Sequence, residues 1–180
     1  MVFIAKFNYR INKMEYSRFL HILVFSALIV LSGSFVYGDQ QEEIPMLSFE
    51  EFEHWLEKEN DSVYVINFWA TWCAPCVREI PAFEKLNEQY RDHKVKVLLV
   101  SLDFPNQLES RVIPFVERME MKSRVILLND PDANRWIPMV DDAWSGAIPA
   151  TVIYSQNFYG FYEREFKFEE LEEIVKPLTQ

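Results

Sequence analysis

Cysteine is nearly absent from the chain. Its 180 residues hold only Cys73 and Cys76, both within the stretch WATWCAPC. Two thiols this close exclude a scaffold of several bridges across large loops. A structural zinc site takes four ligands. Beyond the pair, residues 39–180 offer only His54 and His93 as soft ligands, and both read as surface histidines. No bound metal is expected, although a two-cysteine, two-histidine site stays open on the sequence alone. Basic residues are also short, with 18 Lys and Arg against 28 Asp and Glu, a net charge of −10. Residues 1–38 carry Lys6, Arg10, Lys13 and Arg18 against the single acid Glu15, so residues 39–180 hold 14 basic and 27 acidic residues, net −13. A surface this acidic repels nucleic acid and anionic lipid, and neither is expected as a partner. There is no internal repeat and no low-complexity tract.

Apolar residues are plentiful, at 49%, with aromatics at 16%, enough to fill a core. They begin early. A basic stretch ending at Arg18 leads into the uncharged run FLHILVFSALIVLSGSFVYG, residues 19–38, and then into the polar, acidic DQQEE. That order reads as an export signal with a possible cleavage site at Val36-Tyr37-Gly38, or as an uncleaved membrane anchor of nearly spanning length. The cysteine of a lipoprotein signal is missing. Initiation at Met14 instead of Met1 gives a more ordinary signal. In each version residues 39–180 lie outside the cytoplasm. Residues 39–47 read as a linker and residues 48–180 as one domain.

Within that domain, Ser48 and Glu51 have capping-box spacing before the stripe Phe49, Phe52, Trp55, Leu56, which predicts a helix over SFEEFEHWLEKEN. VYVINFWA, residues 63–70, is almost continuously apolar, as in a strand buried on both faces. A helix follows from about Cys73 to Tyr90 with Pro81 inside it. KVKVLLVSLD, residues 94–103, is a second core strand. Residues 107–122 are helical in pattern, with a kink or late start at Pro114. Further elements are a strand at 124–129, a short helix near Ala133–Val140, a hairpin of ATVIYS and FYGFYEREF across Gln156-Asn157, and a closing helix FKFEELEEIVKPL. The alternation predicts an α/β layer with a mixed sheet.

The cysteine pair falls where a buried strand gives way to a helix. A bridge across so short a loop gains little chain entropy, which argues against a mere staple. Pro75 sits at a first-turn position where its missing N–H costs nothing. The free N–H groups and partial positive charge of the helix start favour a thiolate at Cys73. Cys76, one turn deeper, is placed to resolve a mixed disulfide formed at Cys73. Glu79 lies on the apolar stripe of the same helix with Cys76, Phe83 and Leu86. A carboxylate there is either partly buried, with its proton affinity raised and able to exchange the proton of Cys76, or bent to solvent at the helix edge, and the pattern alone leaves both open. Asn67 is the one polar side chain in its strand and reads as a hydrogen-bonded structural amide. Trp69 reads as core, and Trp72 as an apolar face beside Cys73.

Phe68-Trp69-Ala70-Thr71-Trp72-Cys73-Ala74-Pro75-Cys76, with Pro81 five residues on, resembles the active site of the thioredoxin superfamily. With Asn67 in front, the run is similar to the exported TlpA/ResA-like branch. Ile148-Pro149-Ala150-Thr151 resembles the second landmark of that superfamily, a cis-proline facing the CxxC. The resemblance, over roughly residues 46–180, implies a thioredoxin fold: a central mixed β-sheet flanked by helices, with an αβ insertion before the cis-Pro strand. It implies an exported thiol–disulfide oxidoreductase acting as a disulfide reductase. Cys73 attacks, Cys76 resolves and Glu79 handles the proton, with no cofactor beyond the redox-active Cys73–Cys76 disulfide. Trp72, Ala74, Pro75, Ile148 and Pro149 bind substrate, and Trp144-Ser145-Gly146 either lines the same groove or is a simple turn. The implied partners are protein disulfide or thiol clients and a membrane electron donor, met by a monomer. Alternatives are a DsbA-like thiol oxidase and a non-catalytic module that handles copper or binds clients. A peroxide reductase is disfavoured, because its threonine three residues before the reactive cysteine is Ala70 here. The branch's usual β-hairpin before the first core strand is also missing.

Overall fold

The computed structural model describes residues 43–179. The expected export segment, and the first four residues of the expected linker, lie outside them. Met46–Leu47 forms a two-residue strand, β1, inside the stretch that the sequence reads as linker. It is held by a distant partner, because β1 pairs in parallel with Arg124–Leu128, β4. Ser48 then caps helix α1, Phe49–Phe52, by the expected reciprocal bonds with Glu51. This helix is shorter than its pattern suggests and tightens into a 3₁₀ turn over Glu53–Trp55. Phe49, Phe52 and Trp55 are spaced by three, a period that a 3₁₀ turn satisfies as well as an α-helix does.

Strand β2, Val63–Trp69, is buried at every position, as its apolar run requires. Helix α2, Ala74–Gln89, follows, with Cys73 as its N-cap and Pro81 inside it. Strand β3, Val95–Ser101, stops two residues before the expected end. The helical pattern of residues 107–122 resolves into a 3₁₀ turn at Pro105–Gln107, a wide π turn at Leu108–Val112 and helix α3, Ile113–Arg118. Pro114 sits in the first turn of α3, directly after the π turn, so the helical path continues through the proline as a local distortion. Helix α4, Ala133–Val140, lies where the sequence puts it. The hairpin is β5, Ala150–Ser155, and β6, Phe158–Tyr162, the latter ending four residues early. Helix α5, Phe168–Val175, runs into a 3₁₀ turn, Lys176–Thr179.

The sheet order is β1-β4-β3-β2-β5-β6. The first three pairings are parallel, and β2–β5 and β5–β6 are antiparallel, giving the expected mixed sheet. Alternation along the strands feeds two separate cores. Val63, Val65 and Trp69 of β2 join Ile80, Phe83 and Leu86 of α2, Phe115 of α3 and Leu171 of α5 on one face. Tyr64, Ile66 and Phe68 join Phe49, Phe52, Trp136 and Trp144 on the other. Asn67 shares the α2 face with Val65 and Trp69, and this register brings a polar side chain against the helix that carries both Cys76 and Glu79. Each fully buried Leu, Ile or Phe of these cores contributes roughly 1.5–3 kcal/mol.

Phe83 anchors α2 to the sheet with no solvent exposure. Phe83→Ala is expected to lower the unfolding free energy by about 3–5 kcal/mol in urea titration, through lost contact and a cavity that the sheet cannot close.

Candidate active site

Cys73 and Cys76 are joined in a disulfide at the N-terminus of α2. Cys73 caps the helix: its backbone is extended, and its Sγ accepts from the Cys76 N–H at 3.3 Å. The Cys73 carbonyl starts the helical ladder by accepting from Val77 N–H. Cys76 is fully buried and Cys73 is only 6% exposed, so the disulfide form opens little of either sulfur to solvent. The cis peptide bond expected at Ile148-Pro149 is present. It brings the Ile148 carbonyl to 3.6 Å from Cys73 Sγ. A disulfide sulfur has no proton to donate, so this is a contact here and becomes a hydrogen bond when Cys73 is a thiol. The β2–β5 ladder begins at Ala150, which leaves the backbone of Ile148 outside the sheet.

Glu79 is 1% exposed. Its Oε2 accepts from the Phe166 N–H at 2.9 Å and its Oε1 from Asn67 Nδ2 at 2.8 Å. Burial pushes its carboxyl up from 4.5 to about 7, against the opposing pull of those two donors. Of the two positions that the helical stripe left open, burial holds, and it is almost complete. Asn67 does more than satisfy itself. Its Nδ2 also reaches Thr151 Oγ1 at 3.0 Å, so one amide links β2, α2 and β5.

Trp72 is 56% exposed beside Cys73, as a partner-facing side chain would be, and Trp69 is fully buried, as expected. Ala74 is exposed, Pro75 and Ile148 are half-buried, and Pro149 is buried. Trp144 belongs to the core: it packs on Phe68, Trp136 and Phe161, and its Nε1 donates to the Ala147 carbonyl. Ser145 is held by Glu163 through its N–H and hydroxyl. Gly146, at φ +90°, makes the bend that delivers residues 147–149. This segment is a turn held by its own hydrogen bonds and by the packing of Trp144. His54 and His93 are exposed, their rings against Trp55 and Tyr90.

The structure adds Asp103, which sequence reasoning missed. It is buried at the end of β3 and accepts from Thr71 N–H at 2.9 Å, Thr71 Oγ1 at 2.5 Å and Ser101 Oγ at 2.9 Å. Leu102 N–H adds a bond to the Trp69 carbonyl. These bonds clamp the loop before Cys73 to the loop after β3. The clamp displays Trp72 from one loop and Phe104, 67% exposed, from the other. The available signal was a lone acid closing an apolar strand, the same kind that marked Glu79.

Residues 43–158 match the profile of the AhpC/TSA family. Among curated relatives, the chain is 29% identical over 90 residues to the thioredoxin-like protein YneN of Bacillus subtilis, covering 50% of this chain and 52% of that one. It is 27% identical over 126 residues to the thiol-disulfide oxidoreductase ResA of Halalkalibacterium halodurans, covering 67% and 66%. The chain thus spans about half to two thirds of the length of these relatives. A secreted thiol-disulfide isomerase from Corynebacterium glutamicum has the same fold, with a TM-score of 0.56 at 19% identity over 67% of this chain and 72% of that one.

Two stability measurements check this geometry. The raised carboxyl of Glu79 holds its proton more tightly in the folded than in the unfolded chain. Its contribution is therefore fully present below about pH 4.5 and is lost as pH rises to about 7, on the order of 3 kcal/mol in all. Glu79→Gln, which cannot ionise, is expected to flatten that decline in urea titrations compared across the same range. Asp103→Ala leaves three donors of Thr71 and Ser101 without an acceptor. It is expected to cost about 2–4 kcal/mol by the same measurement.

Proposed function

We propose that this chain, which belongs to the AhpC/TSA family, is an exported thiol–disulfide oxidoreductase that reduces disulfides in protein substrates. The observation that carries the reading is the Cys73–Cys76 disulfide at a helix start, with the Ile148 carbonyl 3.6 Å from Cys73 Sγ and a proton-holding carboxylate on the same helix. ResA, a relative over two thirds of the chain, is named a thiol-disulfide oxidoreductase.

The cycle needs two sulfurs and one base. In the dithiol form, the Cys76 N–H and the helix N-terminus stabilise negative charge on Cys73 Sγ. Cys73 attacks one sulfur of a client disulfide. The client S–S bond breaks, its other sulfur leaves as a thiolate and takes up a proton, and a mixed disulfide remains at Cys73. Glu79, half ionised near neutral pH, takes the proton from Cys76. The Cys76 thiolate then attacks Cys73 Sγ and expels the second client thiolate, which is protonated. Two electrons have passed from the protein dithiol to the client, and the Cys73–Cys76 disulfide stands as in the structure. An extended client segment pairs with the free backbone of Ile148 and packs on Trp72, Ala74, Pro75 and Pro149. No cofactor beyond the disulfide takes part in this cycle.

Regeneration of the dithiol requires a reductant outside the cytoplasm, and a membrane electron donor is the proposed source. Export rests on the basic-then-apolar order of residues 1–38, and residues 19–38 are either removed or kept as an anchor. The working unit is a monomer, since one chain supplies every group in the cycle.

Turnover of a model disulfide with a small-molecule thiol donor tests the reading. Cys73→Ala is expected to fall to the uncatalysed rate, and Cys76→Ser to accumulate a client mixed disulfide on Cys73, seen as added mass. Equal rates for wild type and Cys73→Ala overturn the proposal.

A further inference from the structure

Asn67 sits fully buried between three elements, and its two amide ends are used unequally. Nδ2 faces three acceptors: Glu79 Oε1 at 2.8 Å, Thr151 Oγ1 at 3.0 Å and the Ala150 carbonyl at 3.5 Å. Oδ1 is buried and meets no donor among the described residues. A buried amide oxygen left without a donor is costly and calls for a reason. The arrangement suits a charged Glu79, whose two oxygens only accept. It suits a protonated Glu79 poorly. Phe166 N–H holds Oε2, so a proton taken up by the pair settles on Oε1, where it faces an amide N–H instead of an acceptor.

We infer that Asn67 is a proton-responsive positioning residue: its amide turns over when Glu79 gains a proton, and the hydroxyl of Thr151 reverses with it. After the half-turn, Asn67 Oδ1 accepts from the Glu79 O–H and the Thr151 O–H, replacing the two bonds that Nδ2 gave to those groups. One end of the amide is unpartnered in either state. The two states therefore hold nearly equal numbers of hydrogen bonds, as an easily reversed switch requires. The consequence is reach. Loading a proton on α2 changes the hydrogen bonding of β5 two residues after Pro149, at the base of the segment that presents the Ile148 carbonyl to Cys73. Asn67 touches neither sulfur in this role and acts through Glu79 and Thr151. The inference rests on the reading of Glu79 as the proton holder of the cycle.

Other charges facing Glu79 come from the segment after β6. Arg164 lowers its proton affinity and Glu165 raises it. They pair with Glu170 and Arg78 respectively. On its own helix the neighbour is Cys76, which has no proton in the disulfide form.

The test uses the full-length oxidised protein, in which the cysteines do not titrate and no turnover is read. Its outcome is thus separate from that of the oxidoreductase reading. Carbon and nitrogen NMR follow the Glu79 carboxyl and the Asn67 side-chain amide across the pH range. The expected result is one shared midpoint near 7 for both signals, and a Glu79 midpoint that Asn67→Ala changes by well under tenfold, because the switch gives up a partner in both protonation states. An Asn67 amide signal that stays constant through the Glu79 titration overturns the switch, as does an Asn67→Ala midpoint raised tenfold or more, which marks an amide that serves the carboxylate alone. The amide measurement is made on the unaltered chain, so it decides the matter even where the variant fails to fold.

Discussion

Keeping one carboxylate out of water organises this molecule. A glutamate on the inner face of a helix is unfavourable there unless donors meet it, and the fold brings donors from two distant places: the amide of Asn67 on β2 and the N–H of Phe166 after β6. They offset only part of the desolvation, so Glu79 stays poised near neutrality instead of being fixed as a carboxylate. The same two bonds tie α2 to the sheet and to the segment entering α5. Structural attachment and proton affinity thus share the same atoms.

A second carboxylate works by the opposite logic. Asp103 is surrounded by hydroxyl and backbone donors, and its role is to fix a loop. Thr71 and Asp103 are pinned to each other, so the residues that follow each of them, Trp72 and Phe104, are held outward as rigid apolar surface beside the disulfide. The exposed aromatics are therefore presented and not merely left over. The cysteine pair itself is buried, with Cys73 6% exposed and Cys76 not exposed at all.

How much of this was legible depended on the distance over which each feature is determined. Helix α4 was readable to the residue because Asp132, the apolar spacing and the flanking turns are all local. The CxxC, the α2 boundaries and the stripe that holds Glu79 follow from spacing within one helix. Strand β1 was not readable, because two residues have no period and their conformation is imposed by β4, about 80 residues on. Asn67 looked like an inert amide since its partners lie 12 and 84 residues away. The end of β6 was misplaced because Glu163 leaves the strand to hold Ser145, a contact that no periodicity announces. Trp144 invited a functional reading through its place near Pro149, whereas packing against Phe68 and Trp136 decides its role.

The antiparallel seam between β2 and β5 has a consequence for the order in which the molecule assembles. It joins Tyr64 to Tyr154, across most of the domain's sequence, and contacts of that span form late because a long loop must be closed first. The cysteines lie on the near side of that closure and the Ile148-Pro149 segment on the far side. In a chain emerging from its N-terminus, the thiols are complete long before the carbonyl that will stand opposite them. Until β5 docks, Cys73 stands at its helix start without the Ile148 carbonyl opposite it. The contact between Cys73 and the Ile148 carbonyl thus waits on closure of the β2–β5 seam.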